Sequence, residues 1–292
     1  LDDSGNELIG SITLTTQSGG ANLAHVALNN GNSAIVLENS TVTGNIALVT
    51  GGAVSQSGSL DIRGDMSVTT TQTDSDITLA DSGNSIDGNV SFYTAVQSDV
   101  SFNNGMDNIS LYEAEIGGSL TLASAGEVTD IGHVQVDGNL SVTTTADNGS
   151  DIILNNTENY FANLNLLTLN AAASQNAAGN IHIVENDAVI INNIATGGTL
   201  TIDAAGSITE QGAMTVAGAV ALHVANDSDN DITLNGTNTF GRLDITVSNS
   251  DQTAAADGDI SIIELGSIEI DTITTAGKVT LVSDDFDLTG TI

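Results

Sequence analysis

Short runs in which apolar and polar residues alternate recur along the whole chain. Examples are LTL at Leu120, LSV at Leu140 and IHI at Ile181, and such runs return every seventeen to twenty-four residues. Alternation with a period of two, in segments rich in Val, Ile and Thr and bounded by Gly, Asn and Asp, is typical of β-strands. Because no segment shows convincing helical spacing, the pattern predicts an all-β fold.

A much longer repeat contains these runs. Residues 197–214 read GGTLTIDAAGSITEQGAM and residues 117–134 read GGSLTLASAGEVTDIGHV, with eight of eighteen positions identical at a shift of eighty. Farther upstream, residues 44–71 precede their counterpart, residues 118–145, by seventy-four. The chain therefore consists of long repeats of about 74–80 residues, each containing four of the shorter steps.

The repeats predict one continuous solenoid over residues 1–292. A chain that opens at Leu1 without a methionine and stops partway through a repeat is expected to be an internal fragment of a larger repetitive protein. The predicted long repeats, of which the first and last are partial, are approximately residues 1–43, 44–117, 118–197, 198–277 and 278–292.

The length of the short step distinguishes between repeat folds. A propeller blade needs about 40 residues and an aromatic signature, whereas this chain has no Trp and only 3% aromatic residues. A helical repeat would carry many Lys and Arg on its exposed faces, and here the two together number three. A step of about 20 residues suits one coil of a parallel β-helix, and the absence of Pro suits strands paired on both edges. The sequence thus predicts a parallel β-solenoid with about 20 residues per coil.

Asparagine pairs are the predicted corners of the coils. Pairs begin at Asn29, Asn103, Asn155 and Asn192, where each follows or closes a predicted strand. Asn and Gly are the residues that most readily take the positive φ angles of tight turns. We therefore expect these asparagines at positions where the chain turns.

The charge of the chain excludes one class of partner. The formal net charge is -34, with only Arg63, Arg242 and Lys278 as cations, and nucleic-acid binding depends on clustered cations. No run of eighteen apolar residues is present, so we expect no membrane insertion. The charge fits an extracellular surface, and it fits equally well a means of keeping a long apolar-cored rod soluble.

One acidic turn is a candidate metal site. Asp227, Asp229 and Asp231 are spaced like the first three ligands of a calcium-binding loop, but Ile232 and Asn238 stand where such a loop needs Gly and Glu. Related acidic turns recur once per long repeat. A solvated turn is the favoured interpretation and bound calcium is the alternative; no other cofactor is expected.

Catalysis has little support in the sequence. The histidines, His25, His133, His182 and His223, occupy different phases of the repeat and have no partner that the sequence assigns; the chain has no Cys. Carboxylate pairs for glycoside hydrolysis could arise among thirty-seven acidic residues, but none stands out. We therefore predict that the chain is not an enzyme and keep a polysaccharide-degrading β-helix as a remote alternative.

The order of motifs in residues 197–241 resembles the repeats of very large bacterial surface exoproteins similar to filamentous haemagglutinin. There, as here, GGTLTI leads to GSITEQG, then VAG, then DITLN and a turn with Asn and Phe. The resemblance implies a right-handed parallel β-helix, export through an outer-membrane pore by the two-partner route, and an extracellular or cell-surface location. It implies no catalytic residues.

Two functional hypotheses follow. The leading one is a structural stalk or fibre segment of a secreted adhesin, whose partners are further coils of the same parent chain, copies of itself, or a host or neighbouring cell. The alternative is a module that recognises glycans or proteins through two irregular insertions at the same phase of successive repeats, residues 170–180 and 248–259.

Overall fold

The computed structural model describes residues 1–16, 24–225 and 229–291, and it confirms the all-β parallel solenoid. The chain winds through about 13 turns with roughly 20 residues per turn, as the step in the sequence predicts. The residues divide into two compact units, Leu1–Val142 and Thr143–Ile292. The assignment of residues 1–292 to one continuous solenoid stays a prediction.

The strands are short in the first unit and longer in the second. In chain order, up to the strand that contains the boundary between the units, they are β1 Ser11–Ile12, β2 Val26–Asn29, β3 Ile35–Leu37, β4 Ser40–Val42, β5 Ile46–Thr50, β6 Val54–Gln56, β7 Leu60–Ile62, β8 Met66–Thr70, β9 Ile77–Leu79, β10 Ser85–Ile86, β11 Val90–Tyr93, β12 Val100–Asn103, β13 Ile109–Ile116, β14 Leu120–Ser124, β15 Val128–Asp130 and β16 Val134–Thr145. The second unit continues with β17 Ile152–Leu154, β18 Tyr160–Leu169, β19 Ile181–Glu185, β20 Val189–Thr196, β21 Leu200–Ala204, β22 Ile208–Ala225, β23 Ile232–Ser248, β24 Ile260–Glu264, β25 Ser267–Thr274, β26 Val279–Val282 and β27 Asp285–Thr291.

Parallel pairing stacks equivalent residues of successive coils. In the second unit, β19 pairs with β21 and β21 with β22, so that Ile181 lies over Leu200 and Leu200 over Val220. All three are buried. Because side chains alternate between the two faces of a strand, the residues between them point outward. The apolar residues of each alternating run therefore form the core, and the polar residues between them form the surface.

The core of the first unit holds two large aromatic side chains, in a chain with only 3% aromatic residues. Phe92 and Phe102 are fully buried, with ring centroids 5.4 Å apart. Phe92 lies opposite Ala114 of the next coil. The large ring thus stacks on a small side chain, which conserves the volume of the core.

The corner prediction is correct in part. Asn29 and Asn103 close β2 and β12, and their Oδ1 atoms accept the backbone N–H groups of Gly31 and Gly105 at 3.0 and 2.8 Å. The positive φ angles, 56° and 57°, belong to these glycines and not to the asparagines. Asn155 follows β17, as predicted.

Asn192 is where the corner prediction is wrong. It lies inside β20, next to a register shift between Ile191 and Asn193. A bulge accommodates an extra residue without ending the strand, so Asn192 occupies a bulge within β20 and not a corner.

The last glycine of the repeated motif GxxTDxG or GxxTExG is required because the preceding coil leaves no space for a side chain. A Cβ atom on Gly132 would lie 1.9 Å from the carbonyl oxygen of Tyr112, and one on Gly212 would lie 1.6 Å from that of Asn192. Both carbonyls belong to the preceding coil. Any side chain here would force neighbouring coils apart.

A buried polar position also recurs in the stack. It is occupied by Asn30, Asn104, Glu185 and Glu264, which are at most 3% exposed. Each accepts a main-chain N–H from an earlier coil: Asn30 from Leu8, Asn104 from Ile86, Glu185 from Phe161 and Glu264 from Phe240, at 2.6, 2.8, 2.7 and 3.3 Å. Because an unpaired buried N–H is costly, this side chain satisfies a main-chain group where the ladder of the sheet does not.

We predict that Gly132→Ala and Gly212→Ala each destabilise the protein by about 2 kcal/mol or more, since overlap with a main-chain carbonyl requires a shift of the coil. Urea unfolding followed by circular dichroism measures the change. The control is Gly83→Ala, where a Cβ would meet only the side chains of Asp81 and Ser59, at 3.1 and 3.3 Å. Equal stabilities for the variants and the control would contradict the steric explanation.

Candidate functional site

Two histidines and an aspartate form a ladder on the outer face of the second unit. Asp203 on β21 lies directly opposite His223 on β22, and His182 lies diagonally across from Asp203 on β19. The alternation of each strand turns the neighbouring apolar residues inward and these three side chains outward. Successive members of the ladder are about one coil apart along the chain, and the stacking of the coils therefore brings them side by side.

The ladder is joined by hydrogen bonds to one carboxylate. His223 Nδ1 lies 2.6 Å from Asp203 Oδ1, and His182 Nε2 lies 3.1 Å from Asp203 Oδ2. The hydrogen bond with His223 holds the pKa of Asp203 below its ordinary value, against the effect of partial burial. The same bond raises the pKa of His223. His223 and Asp203 thus form a charge-assisted pair, and His182 brings a second imidazole to the same carboxylate.

A cavity of about 340 Å³ adjoins the ladder. Asp203 and His223 line it together with Glu185, Asn186 and Gln252, the last of which lies in a turn. Gln252 has a φ angle of 55°, which only a constrained turn imposes on a residue other than glycine. Among the described residues, no lysine or arginine lines this cavity.

Glu185 is the buried carboxyl group at this cavity. It is 2% exposed, and burial raises its pKa to about 8 even though its Oε2 accepts the N–H of Phe161. The carboxyl group is therefore largely protonated at neutral pH. Burial also raises the pKa of Glu264, which occupies the equivalent place one long repeat later.

The histidines are less isolated than the sequence suggests. His182 and His223 share Asp203, and His133 lies near Glu113 and Glu115, with nitrogen-to-oxygen distances of 3.4 and 3.7 Å. His25 Nδ1 accepts the N–H of Asn45. A signal for the ladder was present, because residues 182, 203 and 223 are one coil apart, but comparing long repeats alone does not reveal it.

The aspartates of the acidic turns accept hydrogen bonds from main-chain N–H groups of the next coil. Asp231 Oδ1 accepts the N–H of Asp259 on the next coil at 2.7 Å. Asp76 does the same for Asp99, and Asp151 for Asn180, at 2.9 and 2.6 Å. The recurrence of the turn is thus explained by coil-to-coil hydrogen bonds.

The calcium hypothesis itself stays a prediction. Asp229 is exposed, Asp231 keeps one carboxylate oxygen free of the main-chain bond just described, and Asp227 lies outside the described residues. Within the described part of the chain, Glu113, Glu115 and His133 are the one group of three ligand-type side chains whose ligand atoms all lie within 4.8 Å of one another.

Comparison with known proteins places the chain in a repeat family. Three segments, residues 23–92, 97–171 and 178–248, match one family model, described as repeats of unknown function (DUF5649). The chain belongs to this family of repeats. The segments begin 74 and 81 residues apart, which is also the spacing from Asn30 to Asn104 and from Asn104 to Glu185.

No curated protein and no solved structure matches the chain. The described residues contain no helix with the length and apolar character of a membrane span.

We predict that Glu185→Gln flattens the pH dependence of stability. The pKa of Glu185 is about 8 in the folded protein, above that of an exposed Glu, so the folded state binds a proton that the unfolded state releases. The corresponding stabilisation is complete below about pH 4 and is lost as the pH rises to 8, by on the order of 4 kcal/mol. Glutamine keeps the acceptor for Phe161 without a charge.

Unfolding free energies of the wild type and the variant between pH 5 and 9 test this expectation. The matched control is Glu158→Gln, an exposed glutamate of the same unit, whose pH profile should follow that of the wild type. Parallel profiles for the wild type and Glu185→Gln would show that Glu185 is not the group that titrates.

Proposed function

We propose that the chain is a structural segment, a rigid spacer or filament of a secreted bacterial surface adhesin. One observation carries the proposal: the positions that recur in the long repeat serve contacts between coils. Gly212 permits close approach, Glu185 accepts a buried N–H, and Asp231 links to the next coil. The side chains that bear chemistry, the histidines, do not recur.

The absence of catalysis is part of the proposal. The ladder of His182, Asp203 and His223 offers general acid–base groups, but Glu185, the other carboxyl group that lines the adjoining cavity, is engaged by the N–H of Phe161. A glycoside-hydrolysing pair needs two carboxyl groups free to act on either side of a sugar bond. A spacer needs no such groups and no cofactor.

The surface location is supported by charge and by resemblance. A net charge of -34 repels neighbouring copies of an apolar-cored solenoid and favours solubility. The likeness of residues 197–241 to the repeats of haemagglutinin-like exoproteins supports export. If the proposal is right, antibodies against the chain label intact source cells without permeabilisation.

A deletion that keeps the phase of the repeat tests the spacer function. Removing residues 186–264 joins Glu185 to Leu265 and deletes one long repeat, because Glu185 and Glu264 occupy equivalent places. We expect a folded protein whose maximum dimension in small-angle X-ray scattering is shorter by about 17 Å, because the deleted residues form about three and a half coils at about 4.8 Å each.

The control for this deletion removes residues 186–254 and so breaks the phase of the coils. It should lose the cooperative unfolding transition that the in-phase deletion retains. An in-phase deletion that unfolds, or one that leaves the maximum dimension unchanged, would refute a function that resides in the length of the stack.

A second candidate function is recognition through the two insertions. In the turns at residues 170–175 and 249–254, Asn170 Oδ1 accepts the N–H of Ser174 at 3.0 Å and Asn249 Oδ1 accepts that of Thr253 at 2.9 Å. Ala173 and Gln252 have matching φ angles of 51° and 55°. The two insertions therefore contain the same turn, held by the same side-chain hydrogen bond, and this favours a repeated recognition element.

A glycan array tests the second candidate. We expect ligands of the intact chain to be lost when the residues between Asn170 and Gln175 and between Asn249 and Ala254 are replaced by Gly-Ser segments of equal length. If the intact chain binds nothing on the array, or if the replacement leaves binding unchanged, the insertions are not the recognition element.

A further inference from the structure

A half-buried cluster on the first unit combines an imidazole with two carboxylates. Glu113 and Glu115 are two residues apart on β13 and point outward from the same face. Ala114 pairs with Val134 of the next coil, and its N–H donates to the carbonyl oxygen of His133 at 3.1 Å. Main-chain pairing therefore fixes His133 opposite Glu113.

We propose that Glu113, Glu115 and His133 bind a divalent transition-metal ion, with zinc as the expected metal. One ligand atom from each residue lies within 4.8 Å of the other two. A single ion would then cross-link two consecutive coils. This proposal goes beyond the spacer function and does not depend on it.

The distance between His133 and Glu113 is that of two ligands of one ion and not of a hydrogen bond. His133 Nδ1 lies 3.4 Å from Glu113 Oε1. His133 Nε2, the nitrogen on the other side of the ring, lies 3.7 Å from Glu115 Oε1, so the ion takes one of the two nitrogens and the Glu115 side chain reaches it from the exposed side. Hydrogen bonds of this kind have lengths of about 2.7–3.2 Å. Two ligand atoms at about 2.1 Å from a tetrahedral ion lie about 3.4 Å apart.

The ladder in the second unit provides an internal comparison. There, the same types of side chain approach to 2.6 and 3.1 Å, because Asp203 lies between two imidazoles and satisfies both. In the first unit, two carboxylates instead surround one imidazole. Two negative charges facing one neutral or singly charged ring leave net negative charge, which a divalent cation neutralises.

A tyrosine orients one of the carboxylates. The hydroxyl of Tyr93 donates to Glu113 Oε2 at 2.7 Å, and this leaves Oε1 directed at His133. Hydrogen bonds of this kind commonly fix the carboxylate ligands of metal sites.

The surroundings favour a cation, and the ligands favour zinc over calcium. The ion pairs of Arg63 and Arg242 in the described structure are with other acidic residues, Asp61, Asp87 and Asp271. Calcium takes six to eight oxygen ligands, whereas an imidazole nitrogen with carboxylate oxygens is a donor set typical of zinc. Water completes the coordination of an ion held by three side chains.

Isothermal titration of the chelator-treated full chain with zinc chloride tests the proposal. We expect one zinc ion per chain bound with higher affinity than any remaining sites, and a rise in the melting temperature on binding. In His133→Gln this affinity should fall by at least about tenfold, and in Glu115→Gln, whose side chain is 57% exposed and not needed for folding, by a similar factor.

Two further variants complete the design. His182→Gln removes a histidine from the ladder in the second unit and should bind zinc as the wild type does. This variant controls for general imidazole binding. Tyr93→Phe should weaken zinc binding while circular dichroism shows the fold unchanged. The proposal is overturned if His133→Gln retains the wild-type affinity, or if calcium at equal concentration displaces the zinc.

Discussion

The spacing between coils, about 4.8 Å across parallel main-chain hydrogen bonds, is the constraint on which the rest of the structure depends. Each coil must approach its neighbour to this distance along its whole length, including the corners. At Gly132 and Gly212 the approach leaves no room for a Cβ atom. At Asp76, Asp151 and Asp231 a carboxylate takes over the bonding where the strand has not yet begun. The repeat in the sequence thus follows from one distance in the structure.

The buried polar position shows how one structural requirement admits two chemistries. Asn30 and Asn104 satisfy a main-chain N–H with a neutral amide, whereas Glu185 and Glu264 satisfy it with a carboxyl group. In all four cases a side-chain oxygen accepts a main-chain N–H from an earlier coil. The difference lies in titration, because burial raises the pKa of both glutamates and neither amide carries a charge. The first unit therefore meets the requirement independently of pH, and the second does not.

Much of the fold could be predicted from the sequence because strand alternation and coil length are local properties. The period of two identifies Ile181, Leu200 and Val220 as inward residues, and the step between them is the coil. The side-chain clusters could not be predicted in the same way, since they depend on register between coils. Asp203 lies opposite His223 because β21 and β22 pair without a register shift. Around Asn192 the register does shift, so the residue that lies opposite on the next coil cannot be found by counting along the sequence. The repeat pattern of the sequence does not show where these bulges lie.

The pairing of each coil with the next has a consequence for how the chain acquires its structure. Contacts join residues roughly 20 positions apart in a chain of 292, so the relative contact order is about 0.07, a value more typical of helical bundles than of β-sandwiches. Ordering one coil presents a ready template edge to the residues that immediately follow. Folding can then advance as a front along the chain, in the manner of other linear repeat arrays. Such a chain can become ordered progressively as it is synthesised, without waiting for its far end.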